Sequence, residues 1–211
     1  MTGHPKMALG KWQAAIKRSI DIAASTAGLV MLMPLLIAVA VAIRCDSRGP
    51  VLFFQERVGR GGRPFRLLKF RTMFDGASRL GGSLTTSHDD PRITRVGRFL
   101  RKTKIDELPQ LVNVLKGEMS LVGPRPELRK YVEMFPGDYE YLLTVRPGIT
   151  DFASLAYRDE AALLSTSGTP EQEYVDRILP HKIALSRRYV ESMSPWLDLR
   201  LIFRTLLSVF R

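Results

Sequence analysis

Cysteine and histidine are scarce in this sequence: Cys45 is the lone thiol, and His4, His88 and His181 lie far apart. One cysteine excludes an intramolecular disulfide and a cysteine-based metal site, and fits a reducing compartment. Three separated histidines argue against a histidine-rich metal centre. Acidic residues are also in deficit, with 21 Asp+Glu against 32 Lys+Arg and a net charge of +11 over 211 residues. Such a surplus favours anionic partners: nucleic acid, anionic lipid headgroups or phosphorylated substrates. Composition does not choose among them. Aromatic residues are sparse among the basic stretches and no recognised nucleic-acid motif is present, which argues against nucleic acid. Hydrophobic content of 45% and charged content of 25% are ordinary and exclude global disorder. The length fits one compact domain with an appendage.

One long charge-free run exists, the 22 residues from Ile22 to Ile43. That exceeds the ~18–20 residues a helix needs to cross a bilayer. Ala38-Val39-Ala40 resembles a signal-peptide cleavage site, but the run continues past it and a basic body follows. Pro34, near the middle, removes a backbone hydrogen bond and is expected to kink or break the helix. Lys11, Lys17 and Arg18 precede the run, and Arg44, Arg48 and Arg57 follow it. Positive flanks on both sides fit a segment that enters and leaves on one face. A kinked span and a re-entrant helix are equally compatible with these residues. Ser25, Thr26 or neighbouring protein are expected to satisfy the backbone freed at the break.

Beyond Arg44, Val51–Gln55 reads as a short strand, Arg57–Pro64 as a Gly-rich loop and Phe65–Met73 as a second strand, a hairpin-like unit. Between Arg44 and Arg71 there are eight basic residues and two acidic ones. This basic face suits either anionic lipid, at ~1 kcal/mol per charge, or a substrate diphosphate. Gly81-Gly82-Ser83 and the polar run to Asp90-Pro91 read as a surface loop.

The stretch from Arg98 to Leu111 carries the chemistry. Leu108, Leu111, Val112 and Leu115 fall at helical spacing, and Pro109 is tolerated only in a first turn, so a helix is expected from about Asp106. Asp106 would then sit near the N-cap, where amide hydrogens and the helix dipole favour the ionised form a nucleophile needs. A lone aspartate there usually just caps a helix. Here Glu107 adjoins it, and Arg98, Arg101, Lys102 and Lys104 crowd the approach. Neighbouring carboxylates also suit a shared magnesium ion, whose hard charge prefers oxygen ligands and phosphates. Gly117 is expected to end the helix. Pro124 and Pro126 then bracket Arg125 in a rigid loop suited to a bidentate phosphate contact, and Arg146-Pro147-Gly148 repeats the device more weakly.

These motifs, in this order, resemble one family. They are Lys17-Arg18 with Asp21 before a Pro-broken apolar helix, Phe53-Phe54-Gln55-Glu56-Arg57-Val58-Gly59, and Lys69-Phe70-Arg71-Thr72-Met73. Asp106-Glu107-Leu108-Pro109-Gln110-Leu111, Ser120–Glu127 and Arg146–Thr150 complete the set. From about Lys17 to Thr150 the chain is similar to the monotopic phosphoglycosyl transferases, bacterial enzymes that initiate capsule, exopolysaccharide and glycoprotein glycan assembly. The resemblance implies a re-entrant helix with both ends in the cytoplasm, on the bacterial inner membrane, and a catalytic dyad at Asp106-Glu107. Asp106 would attack the β-phosphate of a nucleoside-diphosphate sugar, with uridine as the base by analogy, and polyprenyl phosphate would accept the phosphosugar. Glu107, with Asp106, would hold Mg2+. Arg101 and Arg125 match phosphate-gripping positions, with Lys69 and Arg71 as further candidates. Membrane lipids are implied partners, and a homodimer is compatible but not required. The segment from Asp151 to Glu160 departs from commoner members, which leaves the sugar open.

The tail from Pro195 to Arg211 reads as an amphipathic helix with arginines on its polar side, lying on the membrane or packing on the core. The expected fold is α+β and helix-dominated: residues 1–44 leader and re-entrant helix, 45–194 a catalytic domain with a small β-hairpin, 195–211 the C-terminal helix. Two other readings use the same residues: a membrane-tethered polyanion binder without catalysis, and a magnesium-dependent diphosphate hydrolase. The first gives no reason for Asp106-Glu107, and trapping a covalent phosphosugar would exclude the second.

Overall fold

The computed structural model describes residues 9–77, 90–165 and 169–209. His4, His88 and the loop expected around Gly81-Gly82-Ser83 lie outside the described residues. The apolar run forms two helices, α1 (Lys11–Met31) and α2 (Met33–Asp46), bent by 60° at Leu32. Pro34 falls in the first turn of α2, where its fixed φ and missing N–H are tolerated, so the break precedes it by two residues. Neither helix alone is long and apolar enough to cross a membrane; taken together, the bent pair has the length and composition of a broken span or a re-entrant loop. Val30, Met31, Met33, Ile37 and Val41 around the bend are exposed. The Ser25 hydroxyl, expected to serve the broken backbone, is instead buried with no hydrogen-bond partner among the described residues.

Both open ends of this bent pair are fastened to one body. On α1, Lys17 donates to the Val122 carbonyl at 2.9 Å and pairs with Asp198 at 2.5 Å. Arg18 donates to the Val114 and Leu115 carbonyls in the last turn of a helix. Asp21 accepts from the Leu121 amide at 2.9 Å and the Ser120 hydroxyl at 3.1 Å. On α2, Asp46 accepts from the Val96 amide at 3.0 Å, and Val39 and Ile43 pack with Phe70 and Leu100. Lys17 and Arg18, read from sequence as flanking charges, are therefore also structural bolts.

The hairpin forms as expected: β1 (Leu52–Val58) runs antiparallel to β2 (Pro64–Phe70), with Leu52 opposite Phe70 and Val58 opposite Pro64. β2 ends at Phe70, short of the expected Met73. Helix α3 (Arg95–Thr103) is capped by the Thr94 hydroxyl, which accepts from the Gly97 amide at 2.9 Å. Gly97 also lets α3 lie against the chain beyond β2, because a Cβ there would stand 2.0 Å from the Thr72 carbonyl oxygen. Helix α4 (Gln110–Lys116) ends at Gly117 in the left-handed region, as expected. Asn113 of α4 is fully buried and pairs with β2 as a strand would, accepting from the Leu68 amide and donating to the Arg66 carbonyl.

A second sheet was not foreseen: β3 (Ser120–Val122) pairs in parallel with β4 (Gly148–Thr150). Gly123 and Gly148 make this possible, since a Cβ on Gly148 would stand 2.1 Å from the Gly123 nitrogen. Between these strands run α5 (Arg129–Met134) and α6 (Pro136–Leu142), and after them α7 (Phe152–Ala156), α8 (Glu160–Ser165) and α9 (Pro170–Glu173). A π-helical turn over Tyr174–Ile178 leads into α10 (Leu179–Ser192), followed by α11 (Pro195–Val209). The largest core gathers Val122, Tyr131, Tyr139, Ile178, Tyr189 and Leu201 from these elements. Burying a Leu or Val of this kind stabilises by about 1.5–3 kcal/mol. The helix-dominated α+β expectation holds. Helix α11 packs on the core through Leu201 and Asp198 while Trp196, Leu199, Phe203, Leu206 and Leu207 stay exposed.

Candidate active site

Asp106 and Glu107 occupy a single 3-10 turn, Ile105–Glu107, between α3 and α4. The expected N-cap geometry is not found. Pro109 is the residue before α4, and Asp106 makes no capping hydrogen bond. The reason lies in Lys104, which ends α3 in the left-handed region at φ 60° and turns the chain sharply before the dyad. It is the only non-glycine residue at positive φ among the described residues, a strained conformation held by its surroundings.

Glu107 is tied down on both oxygens. Arg125 donates to it bidentately, Nη2 to Oε1 at 2.5 Å and Nη1 to Oε2 at 3.2 Å, and Lys69 donates to Oε1 at 2.9 Å. The Pro-bracketed loop thus aims Arg125 at a carboxylate. Asp106 is in the opposite condition. It is 6% exposed, and its Oδ1 is buried with no hydrogen-bond partner among the described residues. Gln110, one turn on, likewise buries an Nε2 without a partner.

This contrast splits the dyad electrostatically. Burial pushes the Asp106 carboxyl up and the Glu107 charge adds to that, against the pull of Lys69, Lys104 and Arg101. Burial would raise Glu107 too, but Arg125 and Lys69 outweigh it and hold that carboxyl well below the usual range. Burial also lowers Lys104 and Arg101 from their ordinary values.

Among the other residues picked out by sequence, Lys69 and Arg125 converge on Glu107, and Arg101 stands near Asp106 while its Nε donates to the Thr72 hydroxyl at 2.8 Å. Arg71 is placed differently. Its Nη2 donates to the Ser47 carbonyl and hydroxyl, both at 2.8 Å, beneath the link from α2 to β1.

A further network escaped the sequence reading. Glu127 is buried beside Arg125 in the chain and accepts from Tyr174 at 2.8 Å and from Arg57 at 3.3 Å, with Lys182 at 3.4 Å. Lys182 also pairs with Glu160 at 2.9 Å. Burial works to raise Glu127, but Lys182 and Arg57 hold it below its ordinary value. The nearest signal was Glu127 closing the Pro124-Arg125-Pro126 loop; its partners come from distant segments.

A hard cation fits the donor set on one side only. Asp106 offers an uncommitted oxygen, whereas both Glu107 oxygens already accept from Arg125 or Lys69. No cluster of three or more metal-ligating side chains occurs among the described residues. Mg2+ commonly binds through one or two carboxylates completed by substrate phosphates, and that pattern suits Asp106.

The family model described as bacterial sugar transferase matches residues 12–211, and the chain belongs to that family. It is 40% identical, over 93% of its length, to a UDP-N-acetylgalactosamine-undecaprenyl-phosphate N-acetylgalactosaminephosphotransferase of Aeromonas hydrophila, spanning 44% of that protein. A UDP-glucose:undecaprenyl-phosphate glucose-1-phosphate transferase of Caulobacter vibrioides is 38% identical over 92% of this chain and 69% of its own. The exopolysaccharide production protein PSS of Rhizobium leguminosarum is 38% identical over 92% of this chain and 94% of its own.

Proposed function

We propose that this chain moves a phosphosugar from a nucleoside-diphosphate sugar, of the UDP class, to polyprenyl phosphate through a covalent intermediate on Asp106, an initiating step in bacterial glycan assembly. Asp106 Oδ1 attacks the β-phosphorus, the phosphoanhydride bond breaks, and the nucleoside monophosphate leaves with the bridging oxygen. An oxygen of polyprenyl phosphate then attacks the same phosphorus, freeing the Asp106 carboxylate and forming a sugar-linked polyprenyl diphosphate. The observation that carries this reading is the buried, unpartnered Asp106 oxygen beside a fully partnered Glu107. A buried carboxyl oxygen without a hydrogen bond, with Lys69, Lys104 and Arg101 close by, is free to meet an electrophile. Names of the relatives support the donor and acceptor classes, since they carry UDP-sugars and undecaprenyl phosphate.

Glu107 fixes Arg125 and Lys69 as phosphate-facing cations, and Arg101 and Lys104 add positive charge on the Asp106 side. The Asp106 carboxyl oxygen that does not attack would hold Mg2+ together with substrate phosphates, and the ion would offset charge on the diphosphate. The bent α1–α2 pair enters and leaves the cytoplasmic leaflet of the cell membrane, because Lys17 and Asp21 at one end and Asp46 at the other attach to the same body. The bend is apolar and bare, as a lipid-embedded tip requires.

Intact-protein mass spectrometry tests the proposal. Detergent-solubilised enzyme with magnesium and a panel of UDP-sugars, without lipid acceptor, should gain a phosphosugar mass that maps to Asp106. Release of free sugar phosphate with no adduct at any time point would instead identify a hydrolase.

A further inference from the structure

A cavity of about 490 Å³ lies between α7, α10 and α11, sharing no lining residue with the dyad. Phe152, Leu197 and Leu201 line it along with Ser192, and three arginines complete the wall: Arg188, Arg200 and Arg204. Among the described residues, no acidic side chain lines it. Arg188 stacks on the Phe152 ring at 5.4 Å, within the ~6 Å reach of a cation–π contact. This stacking orients the guanidinium without neutralising it. Among the described residues, the ion pairs of α10 and α11 involve Lys182, Arg187 and Asp198, not these arginines.

The position of the arginines on α11 is informative. At about 100° per residue, Trp196, Leu199, Phe203, Leu206 and Leu207 share one arc of the helix. All five are exposed. Leu201 and Asp198 lie on the opposite, buried arc. Arg200 and Arg204 fall on the seam between the two. A helix whose bare apolar arc enters a leaflet carries its seam residues at headgroup depth, where long basic side chains snorkel. Three converging guanidiniums above an apolar floor complement a phosphate joined to a greasy tail.

We infer that this cavity is a binding site for the headgroup of an anionic phospholipid, seating α11 on the membrane that the α1–α2 pair enters. The inference rests on that membrane reading but not on the reaction at Asp106. Phosphatidylglycerol supplies the required chemistry: one negative phosphate, acyl chains for the apolar arc, and no cationic group facing the arginines.

The full chain, purified in detergent, is incubated with equal amounts of phosphatidylglycerol and phosphatidylcholine and analysed by native mass spectrometry. The wild type should retain phosphatidylglycerol preferentially, and each Arg→Gln change at 188, 200 or 204 should weaken that preference by about fivefold. Equal retention of both lipids by the wild type overturns the inference, as does an undiminished preference in R188Q/R200Q/R204Q. Because a triple variant can misfold, a phosphatidylglycerol carrying a diazirine near its phosphate is cross-linked to the wild type as well. Adducts on peptides covering Arg188 to Arg204 support the site, and adducts confined to other segments refute it. Inorganic phosphate at millimolar levels separates the sources of the anion: loss of these adducts would make the cavity a soluble-phosphate site and overturn the lipid assignment. Transfer activity is not read in any arm, so failure here is distinguishable from failure of the proposed reaction.

Discussion

Arg125 holds Glu107 with both terminal nitrogens, at 2.5 and 3.2 Å, and the prolines on either side of Arg125 fix the direction of approach. A planar fork can do this and a single ammonium cannot. Arg125→Lys should keep the charge, lose the bidentate grip and lower kcat/KM by about 10–100-fold, each tenfold reflecting ~1.4 kcal/mol. Steady-state kinetics with a UDP-sugar and a polyprenyl phosphate would check this, and near-wild-type turnover would show that geometry at Glu107 is irrelevant.

Asp106→Asn should abolish adduct formation and depress transfer by more than about a thousandfold. Stability should change little or rise, because the native carboxylate is buried without a partner and the amide removes its desolvation cost. Thermal unfolding of the two proteins, alongside the intact-mass assay, separates a lost nucleophile from a lost fold.

Glu127 predicts an acid dependence. Its folded value lies below the ordinary 4.5, so its contribution to stability is present above that value and is lost as pH falls through the lowered one. Glu127→Gln should therefore cost about 3 kcal/mol near neutrality, because Lys182 and Arg57 lose a buried countercharge. The gap between wild-type and variant unfolding midpoints should close as pH drops below 4.5. A gap that persists at low pH would mean that Glu127 acts through shape alone.

Lys17→Met should destabilise by about 3–5 kcal/mol by stranding Asp198, and the double variant with Asp198→Asn should recover part of the loss. Chemical denaturation of all four members of the cycle measures the coupling. Additive losses would reduce the pair to a coincidence of position.

Pro34→Ala should leave residue 10 on the same side as the catalytic body. The bend lies at Leu32, and α1 is bolted down by Lys17, Arg18 and Asp21, so the proline is one of several constraints. Labelling a Gly10→Cys variant, in a Cys45→Ser background, with an impermeant thiol reagent reports the side directly. Relocation on Pro34→Ala alone would make the proline decisive.

Much of this architecture was readable where the signal is local. The hairpin follows from alternation around a Gly-rich loop and the end of α4 from Gly117, whereas the flanking prolines of Arg125 suggested a phosphate contact and gave no sign of its grip on Glu107. The dyad itself stands out as acids among bases. Its setting did not, because the N-cap expectation assumed an unbroken path into α4, whereas Lys104 adopts a left-handed conformation that lysine rarely takes. The β3–β4 pair, Asn113 bridging to β2, and the Glu127–Lys182–Glu160 network join residues many positions apart, and periodicity carries no information about such pairings. Lys17 and Arg18 illustrate the same limit, since a charge beside an apolar run looks identical whether it faces lipid headgroups or a distant carboxylate.

The Lys17–Asp198 contact also has a place in time. Its members are 181 positions apart, so at ribosomal speeds of about 5–20 residues per second roughly 10–40 s separate the emergence of the lysine from that of its partner. Arg18 and Asp21 find their partners about halfway through that interval, in residues 114–121, whereas Lys17 waits to its end for its carboxylate. A chain lacking α11 cannot close this clasp, so the seating of the first helix depends on the helix made last among those described.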